Sequence, residues 1–251
     1  MKFNLQFQLV EVKDIHNVQR KRMFELMHAC YNKVEERNFL ADLEKKHWAG
    51  LISDQDGTVQ GFTTFAINPK GVGGEEYHVL FSGDTVIAPE YWGTQIMRDG
   101  WCKAVGSIIA ADPSKPWYWY LLSKGHRTYM FLPLFFKEYF PSIEKTAVEG
   151  KLEKIAAEVS AKLYGHYWKP DEGVIRFDES QGELKQEWIE ASYQKKGSSF
   201  VQFFLQKNPG FHQGEELVCV AQLHPDNILR SAKMIVLEGM EHPIKLKLES
   251  K

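Results

Sequence analysis

The sequence predicts a mixed α/β layer fold: a central, mostly antiparallel sheet with helices on both faces and a helical insertion in its second half. Three observations predict it. Apolar spacing alternates between periods of two and 3.6 in the order β-α-α-β-β-β-α-β-α. Asp56-Gly57 stands between two apolar runs as a hairpin signal. A lone glycine, Gly93, ends the long strand of "YHVLFSGDTVI" where a helical pattern begins.

The elements follow in order. Residues 3–12, "FNLQFQLVEV", alternate like a half-buried strand. Asp14 caps a helix through about Val34 whose apolar positions Val18, Met23, Phe24, Leu26, Met27, Cys30 and Tyr31 mostly share a face. "FLADLEKK" is a second, short helix, and "WAGLISD" and "TVQGFTTFAI" are hairpin strands. From Trp92 to Ala111 helical spacing turns Ile96, Trp101, Val105, Ile108 and Ile109 inward, and "DPSKP" ends that helix. "WYWYLLS" is a buried strand, and "HRTYMFLPLFFKEYF" is a helix interrupted at Pro133. Further on, "GKLEKIAAEVSAKLYG" and "LKQEWIEASYQKK" are amphipathic helices. "SSFVQFFLQKNPGF" and "EELVCVAQL" are expected to be strands joined around Asn208-Pro209-Gly210, before a final helix "DNILRSAKMIVLE". There is no repeat and no Ser/Gly linker, so residues 1–251 are expected to form one domain with an insertion at 145–200.

Composition narrows the function. Lys plus Arg number 31 against 33 Asp plus Glu, a net charge of −2, which leaves no electrostatic footprint for nucleic acid. The N-terminus lacks a signal-peptide core and no run has transmembrane length, so a cytoplasmic protein without a membrane partner is expected. Three scattered cysteines, Cys30, Cys102 and Cys219, have no metal-ligand spacing, and no metal is expected. There is no G-x-S-x-G elbow of a hydrolase.

The corner reads Val86-Ile87-Ala88-Pro89-Glu90-Tyr91-Trp92-Gly93-Thr94-Gln95-Ile96. With the element order, it resembles the GCN5-related N-acetyltransferase (GNAT) superfamily, whose signature there is V-x-P-x-x-R-G-x-G-[IL]-[GA]. Pro89, Gly93 and Ile96 match, whereas Glu90, Trp92 and Gln95 stand at the [QR], basic and small positions. The stretch before it, with Arg20, Phe24, Phe39 and Asp42, is similar to GNAT-related acyl-homoserine-lactone and N-acyl amino acid synthases. Some of those take their acyl group from acyl carrier protein, whose phosphopantetheine has no pyrophosphate to hold.

The resemblance implies an acyl-CoA or acyl-carrier-protein donor, contacted at Val86, Ile87, Trp92, Gly93, Thr94, Gln95 and Ile96, and a small-molecule amine as acceptor. It makes Asp84 a candidate base; the plainer reading is a strand-end Asp bonded to the Ser82-Gly83 backbone. The family's acid Tyr position falls on Phe135, so Tyr129 or Ser123 would stand in. "SKGHRTY" places Lys124, His126 and Arg127 at the carboxyl end of a central strand, as acceptor contacts or as a solvated connection. His78 shares the strand and, by parity, the face of Asp84; a structural histidine is the alternative. The insertion would roof the acceptor site or form a homodimer interface. Against the enzyme stands a second reading, a GNAT-fold binding module for a metabolite or a partner protein that has lost its donor site.

Overall fold

The computed structural model describes residues 4–73, 76–144, 147–195, 197–244 and 246. The chain runs β1 (Gln6–Glu11), α1 (Asn17–Cys30), β2 (Tyr31–Asn32), α2 (Glu36–Leu43), β3 (Trp48–Ser53) and β4 (Val59–Ile67). It continues through β5 (His78–Ile87), α3 (Ile96–Ala111), β6 (Trp117–Ser123), α4 (His126–Tyr129), α5 (Phe131–Phe135) and β7 (Tyr139–Phe140). Next come α6 (Glu149–Tyr164), β8 (Trp168–Lys169), β9 (Val174–Ile175), β10 (Glu183–Leu184) and α7 (Gln186–Gln194). The chain ends with α8 (Ser199–Lys207), β11 (Glu216–Gln222) and α9 (Arg230–Glu241).

The main sheet has the order β1-β3-β4-β5-β6-β11-β9-β8, with β7 also on β11. Every pair in it is antiparallel except β5 with β6. One face buries α3 and α9 against Phe65, Leu80, Trp119 and Cys219. On the other face α1 packs over Leu51 and Phe62, and α6 packs over Val79, Tyr120 and Val218. Alternating residues of each strand thus serve opposite layers, the period-two pattern the sequence carries.

Three expectations are corrected. "SSFVQFFLQK" forms helix α8, not a strand; Val201 and Phe204, three apart, face the core together, and β11 finds its partners in β6, β7 and β9. A short aromatic run does not distinguish strand from helix by its own period. "HRTYMFLPLFFKEYF" divides into two short helices and the strand β7, because Pro133 and the turn at Met130 interrupt it. The insertion is only partly helical: β8 and β9 extend the main sheet, and β10 pairs with β2. Its expected starting residue, Lys145, lies outside the described residues.

Two features of β5 build the site. Its pairing with β6 runs from His78↔Trp117 to Ser82↔Leu121 and stops, although β5 continues to Ile87 and β6 to Ser123. The two strands therefore part at their carboxyl ends. The ladder with β4 jumps from Phe65↔Ser82 to Thr63↔Thr85, so Gly83 and Asp84 together oppose Thr64 as a β-bulge.

Candidate active site

A bulge adds one residue and reverses the parity of all that follow. Before it, Ser82 faces α3 and accepts the Trp101 indole N–H at 3.3 Å. After it, Val86 packs with Met23 and Leu26 of α1. Gly83 already faces that second layer, where a Cβ would stand 2.9 Å from Lys46 Cε and 2.6 Å from Thr64 Oγ1. Asp84 follows on the same side, towards α2 and α6. His78, expected on the face of Asp84, is instead on the α3 side, because the bulge breaks the alternation between them. It bonds Asn68 and Asp112, each at 2.9 Å, and lies against Trp117 at 4.4 Å. His78 is a structural group at the far end of the strand.

Between the parted strands lies a cavity of about 790 Å3 that reaches Asp84, Glu216, Lys46, Lys124, Tyr31 and Tyr164. Two ion pairs flank Asp84. Lys46 Nζ lies 2.6 Å from Asp42 and 4.9 Å from the Phe81 ring centre. Lys124 Nζ lies 3.1 Å from Glu216 and donates to the Gln181 carbonyl at 3.0 Å. Asp84 makes no hydrogen bond or ion pair with any described residue. Burial raises its pKa; Lys46 and Lys124 oppose that shift, and Asp42 and Glu216 add to it. Tyr31 and Tyr164 hold their protons well above the usual phenol range, chiefly through burial and further through the charges of Asp84 and Glu216. The cluster thus sets the carboxylates of Asp84, Asp42 and Glu216 around the ammonium groups of Lys46 and Lys124, with two hydroxyls that stay protonated at neutral pH.

A second cavity, about 300 Å3, shares Tyr31, Thr85, Met97, Thr128 and Phe131 with the first. Val86, Ile87, Trp92, Gly93 and Thr94 border it, as do Arg98 and Arg127. Beyond Ser82 the β6-side edge of β5 has no strand partner among the described residues. Gly93 has φ +87°, which a side chain would strain, and no atom lies within 4 Å of where its Cβ would be. The loop is braced by its own side chains. The Trp92 indole donates to the Ile87 carbonyl at 2.9 Å, and the Thr94 hydroxyl donates to the Tyr91 carbonyl at 2.8 Å. The Arg127 guanidinium stacks 3.9 Å from the centre of Trp92, which meets Trp188 edge-on at 4.3 Å. Gln95 and Ile96 begin α3 and border neither cavity.

No family model matches the chain, and no curated protein matches it. Solved structures do. It is similar to the GNAT family N-acetyltransferase YhbS from Escherichia coli, solved in complex with CoA, at 13% identity and TM-score 0.40. That match covers 54% of this chain and 70% of the other. An acetyltransferase from Trypanosoma brucei matches at 19% identity and TM-score 0.36, over 57% of this chain and 96% of that one. Escherichia coli ElaA matches at 15% and 0.37, over 57% and 94%. The fold itself is a mixed α/β layer, a large and mostly antiparallel sheet flanked by helices. Its element order through β6 and α4 is the one the sequence spacing predicts, with the short β2 added.

The remaining expected site residues divide. Asp84 and Lys124 come together in the large cavity, and Arg127 borders the small one. Ser123 and Tyr129 do not join them. Ser123 is fully buried, and its hydroxyl donates to the Gly125 carbonyl at 2.9 Å, closing the turn into α4. Tyr129 is fully buried among Phe203, Phe204 and Tyr139, donating to the Pro141 carbonyl at 3.0 Å. Its high aromatic density marks packing. Tyr129→Phe should cost about 1 kcal/mol of stability and leave any catalytic rate within a factor of about two; denaturant unfolding and initial rates check this. His126 borders the small cavity but turns inward, 2.6 Å from the Ser192 hydroxyl. Burial, with Lys195 and Arg127, lowers its pKa to about 4, so it is neutral at pH 7.

Sequence reasoning missed Lys46, Glu216, Tyr31 and Tyr164. Lys46 follows an amphipathic helix as an ordinary solvating residue would, and Tyr31 completes an apolar stripe. One signal was available: Glu216 opens an otherwise apolar buried strand, "ELVCVAQ", where an isolated carboxylate needs a partner. Among the described residues there is no cluster of three metal-binding side chains. No helix among them is long and apolar enough to cross a membrane.

Proposed function

We propose that the protein is an acyltransferase that moves an acyl group from a CoA or carrier-protein thioester to the amine of a small molecule. The observation that carries this is the half-buried carboxylate of Asp84 at a β-bulge, free of hydrogen bonds to the described residues, where an open strand edge meets two adjoining cavities. The donor's pantetheine arm would run along the free edge of β5 at Val86 and Ile87, its amides pairing with the backbone as a strand does. The acceptor would enter from the larger cavity. Its nitrogen attacks the thioester carbon, the C–N bond forms, the C–S bond breaks, and the sulfur leaves as thiolate to be protonated from water. Asp84, its basicity raised by burial, takes the proton released by nitrogen. The hydroxyls of Tyr31 and Tyr164 remain donors throughout and offset negative charge that develops near them.

The braced corner favours a second reading, a binding module. Trp92 bonded to Ile87, with Arg127 stacked on it, fills space that a pyrophosphate loop leaves open. Thermal shift separates the two readings. Coenzyme A, acetyl-CoA, a long-chain acyl-CoA or acylated carrier protein at 100 times its Kd should add ~2.7 kcal/mol, or roughly 5–10 °C. No shift with any of the four removes the acyltransferase reading.

A further inference from the structure

We infer that the ligand of the large cavity carries a phosphate monoester, whose dianion is received between Lys70 and Lys162 at the α6 end of the chamber. The site stands without the acyltransferase reading; only calling that ligand the acceptor rests on it. Six lysines and four carboxylates line the cavity. Four of the lysines have an anion beside them: Lys33 lies 2.8 Å from Glu183, Lys45 and Lys46 share Asp42, and Lys124 holds Glu216. Lys70 and Lys162, exposed at the mouth, make no ion pair with any described residue. The charges that act on Asp84 are those of Lys46, Asp42, Lys124 and Glu216, so the two free cations belong to another part of the wall.

Two segments that clasp each other fix this pair of charges. Lys70, in the turn after β4, donates to the Leu163 carbonyl at 2.8 Å, and Lys162, in the last turn of α6, donates to the Gly71 carbonyl at 2.8 Å. The turn holds Asn68 at φ +43° and Lys70 at φ +51°, a left-handed backbone that residues with side chains seldom adopt. Each ammonium spends one of its N–H groups on the clasp and keeps the rest for a ligand. Lys70 also offsets the partial negative charge at the carboxyl end of α6. A carboxylate would leave one of the two cations without a counter-charge. A phosphate monoester, with about two negative charges at neutral pH and several terminal oxygens, answers both. Tyr164, Tyr167 and Phe177 line the same chamber, with Phe177 6.0 Å from Tyr164 and 5.1 Å from Tyr167 between ring centres, and suit an aromatic body on that ligand. Neither lysine borders the smaller cavity at the Gly93 corner, so this anion site is separate from the donor path proposed there.

The test is calorimetric titration of the full chain, without any thioester, using phenyl phosphate and benzoate at about pH 7.5, above the second ionisation of a phosphate monoester. Phenyl phosphate should bind at least about 10-fold more tightly than benzoate. Lys70→Gln and Lys162→Gln should each weaken it at least about 10-fold, and Lys70→Arg and Lys162→Arg should keep it within about threefold. Lys33→Gln, which removes a lysine already paired, should leave it unchanged. The inference falls if benzoate binds as well as phenyl phosphate, if the wild type binds neither, or if both Gln variants at Lys70 and Lys162 leave binding intact. It falls too if Lys33→Gln weakens binding as much as they do, since the attraction would then be diffuse. Phenyl phosphate binding by a chain that transfers no acyl group from any thioester would sustain this inference and remove the acyltransferase reading. Acyl transfer to amines by a chain that does not bind phenyl phosphate would do the opposite.

Discussion

Asp84→Asn should lower kcat for acyl transfer by roughly 10²–10⁴-fold, the usual weight of a positioned base. Asn keeps the shape and cannot accept the proton. The wild-type rate should show an acid limb above the ordinary aspartate value of 3.8, because burial raises the carboxyl pKa. The variant should lose that limb. Stability should move the other way. A raised pKa in the folded state means that folding favours the protonated form. That relative stabilisation is complete below the unfolded value of 3.8 and is lost as pH rises through the folded value. At neutral pH ionised Asp84 is therefore a cost, and the variant should melt above wild type. The gap should close as the pH approaches 4. Rates across pH and melting at pH 7 and 4.5 check both halves; an unchanged rate and limb would remove Asp84 from the chemistry.

The largest expected effect on stability lies away from the cavity, where α3 crosses α9. At Gly106 a Cβ would stand 2.1 Å from the Val236 carbonyl oxygen and 2.9 Å from the Met240 nitrogen. At Gly239 it would stand 2.3 Å from the Lys103 carbonyl oxygen. These are backbone atoms of a facing helix and cannot swing aside as a side-chain tip does. The two helices must separate to admit even a methyl, opening a contact that buries Ala232 and Val236 against Val105 and its neighbours. Gly106→Val should cost about 3 kcal/mol. For a chain of this length that is roughly 6–12 °C in Tm. An unchanged melting temperature would show that the crossing is looser than the structure has it. Since α3 begins at the Gly93 corner, donor binding should weaken with it.

The order of elements through β6 and α3 was legible because each follows from local rules: alternation in β1, the Asp56-Gly57 turn, the helical stripe from Ile96 to Ile109. The opened corner was legible too, since Gly93 and Pro89 have local reasons to be where they are. The mistakes came where local pattern is ambiguous. An aromatic-rich stretch such as Phe200 to Leu205 satisfies a strand and a helix alike until the sheet has, or lacks, an edge for it. In the site, the sequence allows Asp84 as a base or as a strand-end Asp bonded to the Ser82-Gly83 backbone, and its chamber sets it among ionisable groups with no such bond. Ser123 and Tyr129 share the segment after β6 with Lys124, yet both are consumed by the packing of α4.

The sequence by itself determined the layered α/β order, the glycine at the strand-to-helix corner and a carboxylate at the end of the long strand. These depend on periodicity and on backbone angles, which neighbouring residues set. Only the tertiary structure decided which charges meet. A single extra residue at Gly83–Asp84 turned Asp84 towards α2 and α6 and left His78 on the other face. Distant segments then brought Lys46, Lys124, Glu216, Tyr31 and Tyr164 around it. A side chain's titration follows its desolvation and its nearest charges, and both are properties of the assembled layers.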